Sequence, residues 1–181
     1  MKLMIRSEHL AVAMIYMAKN DARPYLNGIH LNKEGWIQAT NGHQSVRIAC
    51  PALKALDENI IICPDKGAIP KSADIAEIDF ESKTIRFTAS GSSIKTIGFI
   101  LVDGRYPDLN RIYNCRAPGP VDSIGLNPKY LADLQKIAAA LGLESMPPAK
   151  LEFRGRVGSV RITFPHCASY GIEILLMPCK L

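Results

Sequence analysis

The spacing of hydrophobic positions changes several times along the chain, and each change marks the boundary of a predicted element. Residues 2–6 predict a strand, and Ser7 is predicted to cap a helix that runs to about Lys19. The apolar side of that helix has residues at helical spacing, Leu10, Met14 and Met17. Short apolar runs separated by turn residues then predict three strands, around residues 28–32, 35–40 and 45–50.

A second unit repeats this order. Residues 60–62 predict a buried strand, and a short helix is predicted around residues 65–73, which Pro70 must kink or confine to its first turn. Alternating apolar residues then predict a hairpin that turns at residues 81–83, and residues 94–101 continue the sheet. The apolar positions of that hairpin are Ile78, Phe80, Ile85 and Phe87.

A third unit follows a break in both periodicities. Two prolines and a glycine predict the main linker at residues 115–120. Beyond it, Asn127 as cap and Pro128 at the first helical position open a helix that Gly142 ends. The apolar face of this helix comprises Tyr130, Leu131, Leu134, Ile137, Ala138 and Leu141. A hairpin turning at about residues 154–158 and a terminal strand over residues 172–177 complete the unit.

The repeated order of elements, with a period of roughly 60 residues, indicates internal duplication. The sequence therefore predicts an α+β fold of three strand-helix-strand (βαβββ-type) units, with the sheets in one layer and the helices in the other. Two units form a complete domain over residues 1–114, and one unit forms a half domain over residues 121–181.

Composition limits the classes of protein to consider. Hydrophobic residues make up 48% of the chain and charged residues 22%, which is typical of a folded protein. No apolar run approaches the roughly 20 residues of a membrane span, and residues 1–6 lack the features of a signal peptide. We expect a cytoplasmic protein with no membrane partner. The formal charge of +5, with no basic tail, favours a polyanionic partner such as nucleic acid.

Motifs for catalysis and metal binding are missing from the sequence. The five cysteines are scattered, form no Cys-x-x-Cys pair and are interpreted as reduced thiols. The segment Asn41-Gly42-His43 contains a histidine, but Asn-Gly is a strong hairpin-turn signal and no triad motif accompanies it. We therefore predict no catalytic residue, no metal site, no cofactor and no enzyme activity.

Six short segments occur in the order in which they stand in one known family. They are RPYLNGI at residues 23–29, ATNGH at 39–43, PDKG at 64–67, VDGRYPD at 102–108, LNPKYL at 126–131 and LLMPCKL at 175–181. In these segments the chain resembles the bacterial sliding clamp, the β subunit of the replicative DNA polymerase. Residues 1–114 resemble the middle domain of that family, and residues 121–181 resemble the second half of its last domain, while its first domain has no counterpart.

The resemblance implies a sliding-clamp-like processivity factor that binds duplex DNA without sequence specificity. It also implies docking of DNA polymerase and other proteins with clamp-binding motifs, and involvement of a clamp loader. The alternative is a non-encircling docking module that captures clamp-binding motifs and competes with or modulates a full-length clamp.

Family clamps close a ring from about a dozen units, so three units imply a homo-oligomer, a dimer or a tetramer. Half of a two-unit domain is expected to leave a sheet edge and an apolar helix face uncovered. We therefore expect two copies to pair through residues 121–181.

The resemblance also implies two sets of site residues. A hydrophobic peptide-binding cleft would comprise Leu26, Thr40, Gly42, His43, Pro107, Arg111, Ile112, Val157, Ser159, Leu175, Leu176, Met177, Pro178, Cys179 and Leu181. DNA contact would involve Lys19, Arg23, Tyr25, Lys66, Lys129 and Lys136, with the last three on helices. The chain departs from the family pattern at Gln44, Ser45 and Cys179, which changes the expected peptide preference.

Overall fold

Three α-helices and eleven strands follow one another in the computed structural model, which describes residues 1–67, 69–114, 118–143, 145, 148–155 and 158–180. The first two predicted units contain β1 (Lys2–Arg6), α1 (Ser7–Tyr16), β2 (Ile29–Asn32), β3 (Trp36–Thr40), β4 (Gln44–Ala49), β5 (Ile60–Pro64), β6 (Ile75–Asp79), β7 (Thr84–Ala89), β8 (Ser92–Leu101) and α2 (Leu109–Tyr113). The third contains α3 (Pro128–Ala140), β9 (Lys150–Glu152), β10 (Val160–Thr163) and β11 (Ile172–Leu176).

The first two units exchange their opening strands. β1 pairs with β6, in the register Lys2 with Asp79, and β5 pairs with β2, in the register Ile29 with Ile62. The long β8 pairs with β7 and, at its end, with β5, which joins the two halves. The strands form one antiparallel sheet in the order β1-β6-β7-β8-β5-β2-β3-β4-β11-β10-β9.

The third unit extends this sheet along the free edge of β4. β11 pairs with β4 in the register Leu176 with Gln44 and Ile172 with Ile48. Because side chains alternate across a strand, Leu176 enters the main core while Leu175 points to the opposite face. Neighbouring residues of β11 thus serve two different surfaces.

The main core lies between this sheet and the helices. α1 packs on β3 and β4, and its Val12, Ala13 and Tyr16 are fully buried. α3 lies beside α1 and buries Ile137 in the same core, which Leu141 joins directly after the helix. Burial of the Ile137 side chain contributes about 1.5–3 kcal/mol, and the partly buried Tyr130, Leu131 and Leu134 add smaller contributions.

The structure confirms the sequence prediction closely around α3. The Asn127 side chain accepts a hydrogen bond from the Lys129 amide at 2.9 Å, Pro128 occupies the first turn, and Gly142 adopts the left-handed conformation after the helix. The strands after α1, the hairpin of β6 and β7, and the strand β11 also lie within a residue or a few of their predicted bounds. The predicted linker and the turn at 154–158 include residues 115–117 and 156–157, which lie outside the described residues.

The predicted helix of the second unit is wrong: no helix occurs among residues 65–67 and 69–74. The segment contains Gly67 and Pro70, which both disfavour helix. In addition, the Asp65 amide donates to the Gly98 carbonyl of β8, and the Asp65 carboxylate accepts from the Gly98 amide. The prediction that Ser7 caps α1 is also wrong. Ser7 is the first helical residue, and its hydroxyl donates to the Ala73 carbonyl.

Three further differences concern the helices. α1 ends at Tyr16 rather than near Lys19, because Met17 is extended. The expectation that the apolar face of the third-unit helix is uncovered is wrong. Within the same chain Ile137 and Leu141 are buried in the main core, and Tyr130, Leu131 and Leu134 pack against it while partly buried. α2 was not predicted.

Candidate functional site

An apolar cavity of about 250 Å³ opens where four segments meet: the 3₁₀ turn at residues 24–27, the start of β4, α2 and the end of β11. We call it the cleft. Leu26 and Leu175 are buried in its floor, while Ile112 and Met177 are exposed. The full lining is Arg23, Leu26, Thr40, Gly42, His43, Gln44, Ser45, Pro107, Leu109, Ile112, Leu175 and Met177.

The turn between β3 and β4 is fixed by its own side chains. The Asn41 carboxamide oxygen accepts from the amides of His43 and Gln44, both at 3.0 Å. The Thr40 hydroxyl donates to the Gln44 carbonyl at 2.8 Å and accepts from the Gly42 amide. Gly42 has φ of +88°, which explains why glycine stands there. One wall of the cleft is therefore rigid.

The turn also holds the segment after β11. The Met177 amide donates to the His43 carbonyl at 2.9 Å, which leaves the thioether side chain at the mouth of the cleft. A flexible, polarizable methionine at an open apolar cavity suits binding of several different apolar side chains.

α2 forms the opposite wall and is fixed at both ends. At its start the Asp108 carboxylate accepts from the Arg111 amide at 3.2 Å. At its end the buried Arg154 guanidinium donates to the carbonyls of Ile112 and Tyr113, at 3.2 and 3.0 Å. Arg154 comes from the third unit, so the cleft depends on contacts between sequence-distant segments.

Eight of the fifteen predicted cleft residues line this cavity. These are Leu26, Thr40, Gly42, His43, Pro107, Ile112, Leu175 and Met177. Leu176 lies in the main core instead, because it points to the other face of β11. Ser159 is buried, Arg111 is exposed on α2, and Pro178 and Cys179 follow β11 beyond the cavity. Val157 and Leu181 lie outside the described residues.

Four lining residues were not predicted: Arg23 (assigned to DNA contact), Gln44, Ser45 and Leu109. Two of the three departures from the family pattern, Gln44 and Ser45, form side-chain hydrogen bonds. The buried Gln44 side chain donates to Asp133 on α3 at 2.7 Å, and Ser45 donates to the Tyr113 hydroxyl at 3.3 Å. These polar residues stabilise α3 and α2 against β4.

A second cavity, of about 410 Å³, lies between the end of α1, the turn at residues 41–44 and α3. We call it the lysine cavity, because Lys19, Lys129 and Lys136 line it, all with exposed side chains. Asp133 lies inside, buried, and accepts from both Gln44 and Lys136. Three of the six predicted DNA-contact residues thus lie together on the helical side.

The other three predicted DNA-contact residues lie elsewhere. Lys66 lines a neighbouring cavity that Lys19 also borders, and it stands on a loop, so its predicted helical position is wrong. Arg23 forms an ion pair with Asp21 at 2.9 Å, which lowers the pKa of that carboxyl to about 2. Tyr25 packs against Gly104.

The cleft and the lysine cavity share a wall made by His43 and Gln44. The His43 ring stacks on Tyr130 of α3, with ring centroids 5.9 Å apart and an interplanar angle of 18°. The turn at residues 41–44 therefore contacts both β11 and α3.

Within the described ranges, no cluster of three or more histidine, cysteine, aspartate or glutamate side chains could hold a metal ion. In the same part of the chain, no helix is long and apolar enough to cross a membrane.

The exchanged strands, the single sheet and the helical layer define a protein with the sliding-clamp fold. Comparison with solved structures shows the same. The DNA polymerase sliding clamp from Pseudomonas aeruginosa matches with a TM-score of 0.63 and 16% identity, over 99% of this chain and 66% of that one. The β subunit from DNA polymerase of Streptococcus pyogenes matches with a TM-score of 0.63 and 15% identity, over 100% and 66%.

The sliding clamp from Bacillus subtilis matches with a TM-score of 0.58 and 16% identity, over 100% of this chain and 64% of that one. The chain thus spans about two thirds of the length of the clamps it matches. No protein-family model and no curated protein matches the chain. At these identities the comparison shows the fold.

Proposed function

We propose that this chain is a sliding-clamp-like processivity factor that docks partner proteins through the cleft. The observation that carries the proposal is the apolar cavity itself, formed where the turn at residues 41–44, α2 and the end of β11 meet. Its rigid walls and exposed Met177 suit short peptides whose apolar side chains enter the cavity. DNA polymerase and other proteins with such motifs would be the partners, and the chain itself would perform no chemistry.

The lysine cavity supports the second half of the proposal, which is non-specific association with duplex DNA. Lys19, Lys129 and Lys136 line one cavity with exposed side chains, and the Lys136 ammonium also pairs with the Asp133 carboxylate. Ammonium groups attract phosphates without reading sequence. Contact of this kind is loose and salt-sensitive, which permits movement along DNA.

We also propose the domain organisation that the sequence predicts. Residues 1–114 would be a complete clamp-type domain, residues 115–120 a linker and residues 121–181 a half domain. A ring would then require several copies and a clamp loader.

The test of the docking proposal is peptide binding measured by fluorescence anisotropy. The probe is a short fluorescein-labelled peptide with two leucines and a phenylalanine among serines and glycines. Met177→Ala is expected to weaken binding about tenfold, since it removes apolar contact worth about 1–2 kcal/mol. Met4→Ala is the matched control, because Met4 is an exposed methionine on β1, far from the cleft. Equal affinity of both variants and wild type would refute the proposal that the cleft binds peptides.

A second candidate is a non-encircling docking module that competes with a full-length clamp. The contact between α1 and α3 favours it, because this chain already supplies part of the contact that a second copy was expected to supply. Sedimentation across a concentration series distinguishes the two. A tetramer supports a ring and justifies testing retention on circular against linear DNA, whereas a monomer or dimer at every concentration supports the docking module.

A further inference from the structure

A polar cavity of about 540 Å³ lies on the sheet face opposite to α1, between β2, β3 and the segment at residues 104–110. Ile37 and Ala39 of β3 enter the main core, so Gln38 points to the other face and lines this cavity. His30 and Gln38 are buried here and line neither the cleft nor the lysine cavity.

Four side chains in the cavity form a chain of hydrogen bonds with a defined direction. The Glu34 carboxylate only accepts, so the Asn110 amide donates to it, at 2.6 Å. The Asn110 oxygen then accepts from the Gln38 amide at 3.2 Å, and the Gln38 oxygen accepts from His30 Nδ1 at 2.9 Å. The carboxylate at one end thus determines which group donates and which accepts in each of these hydrogen bonds.

Each end of this hydrogen-bonded series has an acceptor that the series itself does not use. Because His30 Nδ1 donates, Nε2 of the neutral ring is an acceptor. Burial lowers the pKa of His30, which keeps the ring neutral at physiological pH. The Glu34 carboxylate is exposed and retains acceptor capacity. Arg105 and Asp108 also line the cavity and carry opposite charges, so with Glu34 the charged lining residues leave a net negative charge.

The polar cavity borders the cleft. Pro107 and Leu109 line both, so the two cavities lie on either side of one segment of chain. One end of a peptide whose apolar side chains occupy the cleft would therefore lie beside this segment.

We propose that the polar cavity binds a basic side chain, arginine or lysine, of the same peptide that occupies the cleft. A guanidinium offers five donors and no acceptor, which complements the Glu34 carboxylate and the His30 Nε2 acceptor at the two ends of the hydrogen-bonded series. The proposal rests on peptide docking in the cleft and adds the charge that a favoured partner carries beside its apolar residues.

The experiment uses the labelled apolar peptide described above and a series in which arginine replaces one serine or glycine at successive positions on both sides of the apolar segment. Each arginine peptide has a twin with citrulline, which keeps the shape but lacks the charge. Affinities are measured by anisotropy with wild type, Glu34→Gln and Glu81→Gln, the last being an exposed glutamate remote from the cavity.

At one end of the peptide, arginine is expected to raise the affinity for wild type about three- to tenfold over citrulline. Glu34→Gln should abolish the gain, and Glu81→Gln should retain it. No gain at any position, or an equal gain with Glu34→Gln, would overturn the proposal while leaving the cleft intact. If the parent apolar peptide binds wild type and Met177→Ala equally, the cleft itself fails, and this proposal fails with it.

Discussion

The cleft and the lysine cavity share the wall made by His43 and Gln44, yet they are built in opposite ways. The cleft gains its shape from a buried framework, in which Leu26, Leu175 and the buried Arg154 hold the walls in place. The lysine cavity owes its character to exposed ammonium groups on flexible side chains. Binding in the cleft should therefore depend on shape and be insensitive to salt, while binding at the lysines should depend on charge and be screened.

The largest expected effect separates the two sites directly. Replacing Lys19, Lys129 and Lys136 together by glutamine should reduce affinity for duplex DNA roughly 100-fold at low salt and lower the slope of log affinity against log salt by about three. Peptide affinity should not change. Anisotropy of a labelled duplex over a salt series gives both quantities.

The matched control replaces three exposed lysines outside that cavity, Lys33, Lys54 and Lys83, by glutamine. The net charge falls equally, so only location distinguishes the two triple variants. Equal loss of DNA binding in both would mean that overall charge, and not the lysine cavity, attracts DNA.

The second prediction concerns acid stability of α1, which carries part of the helical layer. Burial lowers the pKa of His9 to about 4 from an ordinary value near 6.5, and neither ring nitrogen has a hydrogen-bond partner among the described residues. The unfolded chain therefore binds a proton at higher pH than the folded chain does. Stability should fall as pH drops from about 6.5 towards 4, by about 2 kcal/mol at pH 5 relative to pH 8.

Urea denaturation at a series of pH values measures this dependence. His9→Leu should flatten most of it, while His166→Gln, at an exposed site, should not. If the wild type and His9→Leu respond identically to pH, the buried ring is not what limits acid stability. The smaller contribution expected to remain comes from His30, whose pKa burial also lowers.

A smaller effect is expected at the shared wall. Gln44→Ala leaves the buried Asp133 carboxylate with Lys136 as its remaining side-chain partner, which should reduce the free energy of unfolding by about 1–2 kcal/mol. Gln135→Ala, on the exposed side of α3, is the control and should have little effect. Urea denaturation that gives equal stabilities for the two variants would show that the Gln44–Asp133 contact does not hold α3.

Sequence reasoning succeeded where local signals and long periodicity agree. Asn127, Pro128 and Gly142 bound α3 because caps act through the backbone of their own turn. The same reasoning failed for residues 65–73, where the expectation of a repeated unit outweighed the presence of Gly67 and Pro70. α2 had a signal that was available, since Asp108 follows Pro107 and stands three residues before Arg111.

The cleft could be assembled from family resemblance, but its details required the fold. Leu176 was assigned to it with Leu175, although alternation along a strand sends one of two neighbours to the other face. Gln44 gave no signal, because its partner Asp133 is 89 positions away. The polar cavity was missed for the same reason: His30 and Gln38 alternate with apolar residues, a pattern that indicates a solvent-facing strand side until the segment at residues 104–110 covers it.

The pairing of β1 with β6 has a consequence for synthesis of the protein. β1 leaves the ribosome about 70 residues before its partner strand, which at typical translation rates is roughly 4–14 seconds. During that interval Leu3 and Ile5 have no strand to pack beside, and the nascent chain is open to chaperones. Two neighbouring nascent chains that trade their β1 strands in this interval would produce an intertwined dimer.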